Sequence, residues 1–464
     1  MKKKRVAYTK CPMTSSAFFR AYANLATTDR QVLLESASGG RWSIAGIDAL
    51  ATYESTFGEN VLVTTWADGQ VERQEGEPLQ LLERRLNKYH FEEIEGLPPF
   101  QGGVIGYISY DYVRRYVDLP HDTKRDIEVP DLYFYLFDRW AIFDHEREEV
   151  YFITLSGCQS CAEKMKDEWQ EASEQALEKT EVPTRGEIRV LPSKETFVQS
   201  VKDIQSSIER GDVEQVNISL RQQAETNVRA IDLYRSLRQL NPSPYMGWMS
   251  TPLIDIVSGS PELLLRKRGN IVTTRPIGGT ASRGKTKEED EANRRALQSS
   301  EKDMTEHEML VELECKDFRK VCDPSTVQVT ASQVVETYSH VFHLVSEVEG
   351  RLREGVSMKE WVRAIFPGGS ITGDPKVPTL EMIERLETVE RGLYTGALGW
   401  IGFNGDVEWN ILIRTALLYE GNMYVQAGAG ITIDSDPHSE YEESLTKGRA
   451  LWQAEEQLRK EEKE

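Results

Sequence analysis

Two acidic pairs with helical spacing are the residues of this sequence best suited to bind a metal ion. Glu440 and Glu443 lie three positions apart in DSDPHSEYEESLTK, and Asp303 and Glu306 have the same spacing in SSEKDMTEHEMLVEL. In a helix this spacing places both members of a pair on one face, and Lys447, four residues after Glu443, joins that face. Two such faces opposite each other would repel unless a cation such as Mg²⁺ lay between them. The spacing alone leaves open the alternative of solvated acidic helices.

The acidity around Glu443 has a second explanation in helix capping. Ser439 is followed three residues later by Glu442, which predicts a capping box at a helix N-terminus. Acidic side chains are also favourable there because of the helix dipole. Capping accounts for Glu442, but it does not account for Glu440 and Glu443.

Two single residues have the right chemistry for proton transfer. Glu262 follows a proline in SGSPELL, and His343 lies in the apolar run VFHLVS. A carboxylic acid whose pKa is raised by burial can act as a general acid. Each residue alone has a commoner structural role, since a Glu after Pro can cap an element and a lone histidine usually belongs to the core.

Two glycine-rich segments predict tight turns. They are FPGGSITGDPK (366–376) and QAGAGI (426–431). Successive backbone N–H groups in such turns can bind a carboxylate or a phosphate. A turn without a ligand is the commoner case for either segment alone.

The elements that must position these residues alternate between extended and helical patterns. Residues 1–182 predict short strands around helical pieces, and a segment with Pro, Gly and Ser but no periodicity marks a boundary before residue 194. In residues 194–464, helical patterns alternate with apolar β-type runs. We therefore predict an α+β protein whose sheets are covered by helices, organised in two parts, residues 1–182 and 194–464.

Composition excludes several classes of protein. The 464 residues, 39% hydrophobic and 28% charged, can bury a large core. No stretch approaches the ~20 apolar residues of a membrane span, and the basic N-terminus lacks the apolar run of a signal peptide. A net charge of −20 without a basic stripe argues against nucleic acid as a partner. We expect a cytoplasmic protein with neither a membrane nor a nucleic acid as its partner.

The cysteines predict reduced thiols. The chain has five cysteines, and an odd number in a long chain argues against a disulfide scaffold. Cys158 and Cys161 form a CxxC pair, but the sequence offers no second pair of ligands at a spacing suited to zinc. We therefore expect buried or incidental thiols rather than a metal or redox site.

Further motifs, taken in order, resemble one known family. They are SGSPELL (258–264), RPIGGTASRG (275–284), YSHVFHLVSEVEG (338–350), RGLYTGALGWIG (391–402) and NILIRTA (410–416), together with the two glycine-rich segments. The sequence resembles the chorismate-utilising enzymes, above all the synthase subunits of aminodeoxychorismate synthase and anthranilate synthase. VLLESASGGRWSIAG (32–46), FQGGVIGYISYDY (100–112) and NPSPYM (241–246) extend the resemblance to nearly the whole chain. It implies two packed β-sheets flanked by helices, in two intertwined subdomains, with residues 1–182 as an N-terminal regulatory or structural part and residues 194–464 as the chorismate-binding catalytic part.

The resemblance also implies a magnesium site and a chorismate site. Mg²⁺ would lie between Glu306 and Glu443, with Asp303 and Glu440 holding its waters, and would anchor the ring carboxylate of chorismate. Glu262 matches the acid that protonates the departing hydroxyl, and His343 matches a histidine near the reacting ring. The other residues that match the family's substrate pocket are Thr280, Thr372, Tyr394, Arg414, Gly428, Gly430 and Lys447. Among them, Arg414 and Tyr394 match ligands of the enolpyruvyl carboxylate, beside the amides of the Gly428 to Gly430 turn.

Three positions bear on the nucleophile. Gln215 lies where water-using family members have a general-base lysine, and a Gln cannot take a proton from water at neutral pH. Asn217 and Asn410 resemble aminodeoxychorismate synthases, which aminate chorismate with ammonia at the para position. Gly278 replaces a lysine that forms a covalent adduct in many of those enzymes. We favour amination to 4-amino-4-deoxychorismate, the first step toward 4-aminobenzoate and folate, over the ortho amination of anthranilate synthase.

Several residues depart from the family pattern. The run after EHxML reads VELECKDFRKVC, where VDLxRNDLGR is usual, and GDPK replaces GAPK. Asp374 would therefore lie beside an anion-binding turn, where it could repel a carboxylate. The remaining departures are Glu312, Cys315, Lys316, Arg319 and Pro378. They keep open a third hypothesis, that the chain is a chorismate-binding paralogue with weak catalysis.

Two partners follow from the resemblance. None of the cysteines lies in the Gly-rich elbow of a glutaminase nucleophile. Ammonia would therefore come from a separate glutamine amidotransferase subunit in a heterodimer. Ser36, Pro244, Tyr245 and Met246 match the pocket that binds tryptophan in anthranilate synthases, so tryptophan is a candidate ligand here.

Overall fold

Helices and strands alternate along the whole described part of the chain. A computed structural model describes residues 6–89, 92–178, 182–338 and 341–460. The helices within these ranges are α1 (Ser15–Leu25), α2 (Pro78–Leu86), α3 (Gln159–Glu174), α4 (Lys194–Glu209), α5 (Ala230–Leu240), α6 (Lys287–Gln298), α7 (Glu301–Val321), α8 (Met358–Ile365), α9 (Lys376–Leu386) and α10 (Pro437–Lys460). Searched over the same ranges, no helix has the length and apolar composition needed to cross a membrane.

The strands form two large sheets. They are β1 (Ala7–Pro12), β2 (Gln31–Glu35), β3 (Trp42–Gly46), β4 (Ala51–Ser55), β5 (Val61–Trp66), β6 (Val71–Glu75), β7 (Gly103–Ile108), β8 (Leu132–Leu136), β9 (Arg139–Asp144), β10 (Glu149–Thr154), β11 (Arg189–Leu191), β12 (Gln215–Glu225), β13 (Tyr245–Ser250), β14 (Asp255–Ser260), β15 (Leu263–Arg268), β16 (Ile271–Arg275), β17 (Ile277–Ser282), β18 (Gln328–Thr337), β19 (Val341–Arg351), β20 (Gly373–Asp374), β21 (Ala397–Gly402), β22 (Val407–Ile411), β23 (Thr415–Tyr419) and β24 (Asn422–Ile431). The first sheet has the order β1-β10-β9-β3-β2-β13-β14-β23-β24-β12-β11, with β20 beside β12. The second has the order β17-β19-β16-β15-β22-β21-β7-β8-β4-β5-β6, with β18 beside β19.

Both sheets draw strands from both ends of the chain. The first sheet joins β1 to β3, β9 and β10 with strands that follow residue 182, and the second joins β4 to β8 with strands that follow residue 262. All pairings between these strands are antiparallel. The prediction of an α+β fold with two sheets flanked by helices is confirmed.

Apolar side chains hold the sheets and helices together. The largest cluster includes Ile142 of the first sheet and Leu265 of the second, so the two sheets share one core. A second cluster joins Phe18 of α1, Trp169 of α3 and Leu451 of α10 to the first sheet. Because α10 packs along β24 and β12, the acidic end of this helix is held at the edge of the first sheet.

The structure corrects the predicted capping box. Helix α10 begins at Pro437, so Ser439 lies inside its first turn. Asp436 is the capping residue, because its carboxylate accepts hydrogen bonds from the backbone N and the hydroxyl of Ser439, both at 2.8 Å. Proline at the first helical position lacks the N–H that the helix could not have bonded anyway, which favours this earlier start. Glu442 instead pairs with Lys194 of α4 at 2.7 Å.

The cysteines also differ from expectation. Cys158 and Cys161 are joined by a disulfide with their Cα atoms 5.3 Å apart. Cys158 precedes the first turn of α3 and Cys161 lies in it, which brings the two residues within disulfide range. Cys11, Cys315 and Cys322 are free and buried, as predicted for the cysteines in general.

A buried ion pair fastens α9 to the first sheet. Arg391 pairs with Glu387 at 2.8 Å, and their side chains are only 1% and 3% exposed. Glu387 also accepts hydrogen bonds from the backbone N and hydroxyl of Ser219 on β12, both at 2.8 Å. Arg391 donates in turn to the carbonyl of Asn217 at 2.7 Å. A buried pair is costly to break because the remaining charge stays uncompensated.

Replacing Arg391 tests how much this ion pair contributes to the free energy of unfolding. We expect Arg391→Met to lower the free energy of unfolding by about 3 to 5 kcal/mol, since Glu387 would be left buried without its cation. Urea denaturation followed by circular dichroism measures this. Arg385→Met is the matched control, because Arg385 pairs with Glu381 on the same helix with 62% and 40% exposure, and its loss should cost less than about 1 kcal/mol. Equal effects of the two substitutions would contradict the assignment.

Candidate active site

The two predicted acidic pairs lie at the N-terminal ends of two long helices. Asp303 and Glu306 are in the first two turns of α7, and Glu440 and Glu443 are in the first two turns of α10. Burial, the nearby charge of Asp303 and that of Glu443 raise the pKa of Glu306, against the opposing effect of Lys302. Burial and the charge of Glu443 likewise raise the pKa of Glu440. The structure therefore brings the pairs into electrostatic contact across the two helices.

The carboxylates fit a hard cation by their chemistry but are not assembled around one. Among the residues described, no three His, Cys, Asp or Glu side chains are grouped closely enough to hold a metal ion. Two lysines partly neutralise the carboxylates instead, since Lys447 lies 2.8 Å from Glu443 and Lys302 lies 3.8 Å from Glu306. Besides burial, repulsion by Asp303 and Glu443 raises the pKa of Glu306, and a divalent cation between these carboxylates would remove that repulsion. The magnesium site remains a prediction.

Glu262 is a buried carboxyl group between the two sheets. It follows β14 after one proline, and its side chain is 7% exposed. Its carboxyl oxygen accepts a hydrogen bond from the hydroxyl of Ser370 at 3.0 Å. Burial raises the pKa of Glu262 to about 7, while Ser370, the backbone N of Ile277 and the charge of Lys447 act in the other direction. Glu262 is thus half protonated near neutral pH, as a general acid requires.

The QAGAGI segment is a strand and not the turn that its glycines predicted. Residues 422–431 form β24, in which Gly428 lies opposite Ser219 and Gly430 opposite Asn217 of β12. The backbone N of Ser219 donates to Glu387, and that of Asn217 donates to Thr372, so both point away from β24. These are therefore non-hydrogen-bonded pairs, and the N–H groups of Gly428 and Gly430 face the opposite edge.

That opposite edge of β24 is open to a ligand. Among the described strands, β23 pairs with β24 only as far as Val425, so no strand covers the edge beyond it. Lys447 reaches this edge, where its ammonium group donates to the carbonyl of Gly428 at 3.0 Å. Anion binding by the two glycine amides stays a prediction, and the amides would act from a sheet edge and not from the expected turn.

Gln215 and Asn217 cover the face of the same strand. A methyl group on Gly430 would lie 2.2 Å from Nε2 of Gln215, and one on Gly428 would lie 2.3 Å from the backbone carbonyl of Ile218 and 2.9 Å from Oδ1 of Asn217. A larger residue at 430 would displace the amide of Gln215, and one at 428 would clash with β12 itself. Oδ1 of Asn217 is buried and has no hydrogen-bond partner within the described chain, so the site contains a free acceptor.

Arg414 is an enclosed cation beside this edge. It precedes β23 and has a left-handed backbone with φ of 52°, which costs energy for a residue with a side chain. Burial lowers its pKa, against the charges of Tyr394 and Glu443. No carboxylate of the described residues forms an ion pair with it, whereas the buried Tyr394 lies nearby. An enclosed guanidinium of this kind suits a ligand carboxylate.

His343 and Thr280 meet on adjacent strands. Nδ1 of His343 lies 3.0 Å from the hydroxyl of Thr280, on β19 and β17 respectively. Burial lowers the pKa of His343 to about 4, so its imidazole is neutral at pH 7. Thr372 is fully buried, and its hydroxyl donates to the carbonyl of Gly368 at 2.8 Å, which stabilises the turn before β20.

Gly278 has a packing reason to lack a side chain. A methyl group there would lie 2.5 Å from Nδ1 of His307. The imidazole of His307 is buried, and its other nitrogen lies 2.7 Å from the hydroxyl of Ser346. The buried histidine thus fills the space that a lysine at this position would have to enter.

Two polar residues of the site escaped the sequence analysis. Ser370 lies within the quoted segment GGSITG, and its role becomes visible only through its bond to Glu262. Glu314 of α7 is buried, and one of its carboxyl oxygens has no partner among the described residues. Burial and the charge of Asp317 raise the pKa of Glu314 to about 8, with a further contribution from Glu262. No sequence signal marked Glu314, because its burial depends on residues distant in the chain.

The predicted regulatory residues line an open cavity of about 720 Å³. Ser36, Pro244, Tyr245 and Met246 all contribute to its wall. The hydroxyl of Ser36 donates to the carbonyl of Pro244 at 3.1 Å, which joins the two predicted segments. The protein's own side chains therefore do not fill this cavity.

Comparisons of the sequence and the fold with known proteins identify the family of this chain. The chain belongs to the family of chorismate binding enzymes, which matches residues 29–453. It is 42% identical to aminodeoxychorismate synthase component 1 of Bacillus subtilis (strain 168), over 98% of each chain. It is 37% identical to anthranilate synthase component 1 of Acetivibrio thermocellus, over 91% of this chain and 89% of that one. The crystal structure of anthranilate synthase component I from Streptococcus pneumoniae TIGR4 superposes with a TM-score of 0.78 at 32% identity, covering 89% of this chain and 92% of that one.

The raised pKa of Glu262 predicts a pH-dependent stability. Because its folded-state pKa of about 7 exceeds the usual 4.5, its contribution to stability is complete below the lower value and is lost as pH rises through the higher one. We expect the stability advantage of Glu262→Gln over the natural chain to grow by about 2 kcal/mol between about pH 5.5 and about pH 8.5. Urea denaturation across this pH range measures it. The exposed substitution Glu381→Gln should show no such trend, and a flat difference for Glu262→Gln would contradict the prediction.

Proposed function

We propose that this protein aminates chorismate with ammonia to give 4-amino-4-deoxychorismate, in a reaction that depends on Mg²⁺. The observation that carries the proposal is the carboxyl group of Glu262, which is buried and titrates near pH 7 beside groups that can bind anions. The 42% identity with aminodeoxychorismate synthase component 1 of Bacillus subtilis supports the para product. Ortho amination and loss of pyruvate, as by anthranilate synthase, is the alternative, supported by the 37% identity with that enzyme.

Two sets of residues would each bind one carboxylate of the substrate. Arg414 and the amides of Gly428 and Gly430 bind the enolpyruvyl carboxylate. Glu306 and Glu443 would hold Mg²⁺, and Asp303 and Glu440 would hold its waters. When bound, the ion supplies positive charge for the ring carboxylate.

Proton transfer then falls to the chain's own residues. Glu262 donates its proton to the hydroxyl of chorismate, which departs as water while the C–N bond forms. Ammonia loses one proton overall, so one molecule of water is released for each amine formed. The neutral imidazole of His343, near Thr280, packs beside the reacting ring.

Ammonia is favoured over water as the nucleophile because Gln215 stands where water-using relatives have a general-base lysine. Gln215 cannot accept a proton at neutral pH, whereas Oδ1 of Asn217 is a free buried acceptor for an N–H group. His307 occupies the space above Gly278, so the reaction proceeds without a lysine adduct at that position.

A second subunit supplies the ammonia. The Bacillus subtilis relative is named component 1, which implies a partner component. We propose a heterodimer with a glutamine amidotransferase in the cytoplasm.

A direct assay tests the reaction. The purified chain is incubated with chorismate, Mg²⁺ and ammonium at mildly alkaline pH, and products are identified by mass, with and without an aminodeoxychorismate lyase. We expect 4-aminobenzoate only when the lyase is present. Anthranilate and pyruvate without the lyase would establish the alternative, and no product would favour a weak chorismate-binding paralogue.

The metal assignment is tested on the same assay. We expect Glu443→Gln to lower kcat/KM by at least about 100-fold, since one carboxylate of the metal pair would be lost. The matched control is Glu442→Gln on the same helix, whose partner is the exposed Lys194; its activity should stay within about twofold. Isothermal titration of Mg²⁺ in the presence of chorismate separates a lost metal from other defects. Unchanged magnesium binding in Glu443→Gln would contradict the assignment.

The cavity near Ser36 is proposed to bind tryptophan. Its volume of about 720 Å³ and its mixed lining of Met246, Tyr245 and arginine side chains suit an aromatic amino acid. Calorimetric titration with L-tryptophan should give saturable binding that Ser36→Leu abolishes. Absence of heat with the natural chain would contradict the proposal.

A further inference from the structure

Two residues that depart from the family pattern form a pair with each other. Nζ of Lys316 on α7 donates to Oδ2 of Asp374 at 3.0 Å. The side chains are 42% and 21% exposed, and the bond raises the pKa of Lys316. The carboxylate of Asp374 is therefore neutralised by this lysine, and the expected repulsion of a substrate carboxylate is offset. The departures at the two positions complement each other.

The pair is one of three contacts between α7 and the same short segment. The carboxyl group of Glu314 accepts a hydrogen bond from the backbone N of Gly369. Asp317 pairs with Lys376 at 2.6 Å. Three residues of α7 thus hold the segment 369–376. Glu314 contacts Gly369, Lys316 contacts Asp374, and Asp317 contacts Lys376.

The held segment carries groups that shape the active site. Ser370 donates to the carboxyl group of Glu262 at 3.0 Å. Asp374 lies opposite Gln215 in the pairing of β20 with β12, and the carbonyl of Thr372 accepts from the backbone N of Asn217 at 2.8 Å. A shift of this segment would move the partner of Glu262 and the strand that carries Gln215.

We propose that Lys316 and Asp374 are a positioning pair for Glu262, holding the segment that presents the hydroxyl of Ser370 to this acid. The pair touches neither substrate nor reacting atoms, and it acts by fixing one side of the site to α7. That helix also carries Asp303 and Glu306, so the pair keeps the acid and the acidic helix ends in a fixed relation. The effect on catalysis rests on the proposed function, whereas the effect on the segment's order does not.

A charge exchange tests the pair. The variants are Lys316→Glu, Asp374→Lys, their double variant, and Asp374→Ala, which places the family's usual residue at 374 and leaves Lys316 with its longer contact to Glu312 at 3.8 Å. Each single variant should lower kcat by about fivefold with little change in the KM for chorismate, as expected for a partly exposed pair that acts on geometry. The double variant should recover at least half of the natural kcat. Arg385→Glu, an exposed reversal on the neighbouring helix, is the control and should leave kcat unchanged.

Hydrogen–deuterium exchange of a peptide covering residues 366–376 provides a readout independent of catalysis. Exchange should be faster in the single variants and return toward the natural rate in the double variant. Natural exchange and kcat in both single reversals would overturn the proposal, as would a double variant no better than the singles. If the natural chain proves inactive, the proposed function fails, and the exchange rates alone then decide whether the pair holds the segment.

Discussion

The need to keep a buried carboxylic acid protonated near neutral pH constrains the whole active site. A charged carboxylate with few polar partners is costly to bury, so Glu262 holds its proton. A guanidinium bonded directly to Glu262 would lower its pKa and remove this property. The structure instead gives Glu262 a neutral donor, the hydroxyl of Ser370 at 3.0 Å. Lys447, whose charge lowers the pKa of Glu262, is engaged by Glu443 and by the carbonyl of Gly428.

The edge of β24 near this acid has the opposite character, because it presents backbone N–H groups that suit an anion. Backbone N–H groups attract a carboxylate without carrying a full charge, and the two glycines of β24 present them where β23 has ended. The glycines serve a second purpose on the face of the strand, because the amides of Gln215 and Asn217 occupy the space that side chains would take. The same two glycines therefore present N–H groups at the open edge and let the amides of Gln215 and Asn217 pack on the face of the strand.

The sequence predicted what depends on local periodicity and missed what depends on distant burial. Helical spacing correctly placed Asp303 with Glu306 and Glu440 with Glu443, because three residues separate neighbours on any helix face. Glycine content suggested a turn at QAGAGI, but pairing with β12 along the chain's first sheet imposed a strand. Ser370 and Glu314 gave no signal, since a hydroxyl or carboxyl acquires its role only when remote segments enclose it. The sequence predicted that α10 starts after Ser439, because Ser439 fits a capping pattern, whereas the helix starts at Pro437.

The arrangement of charges argues for a ligand with two separated anionic groups. At one side lie the glycine amides and Arg414, which forms no ion pair with a carboxylate of the described residues, although the charge of Glu443 acts on its pKa. At the other, burial and the charges of Asp303 and of Glu443 on α10 raise the pKa of Glu306 on α7, so an anion could bind there only together with a cation. A ligand with one carboxylate would satisfy half of this site and leave the other half repelling itself. Chorismate carries one carboxylate on its ring and a second on its enolpyruvyl ether, so its two anionic groups fit such a division of charge.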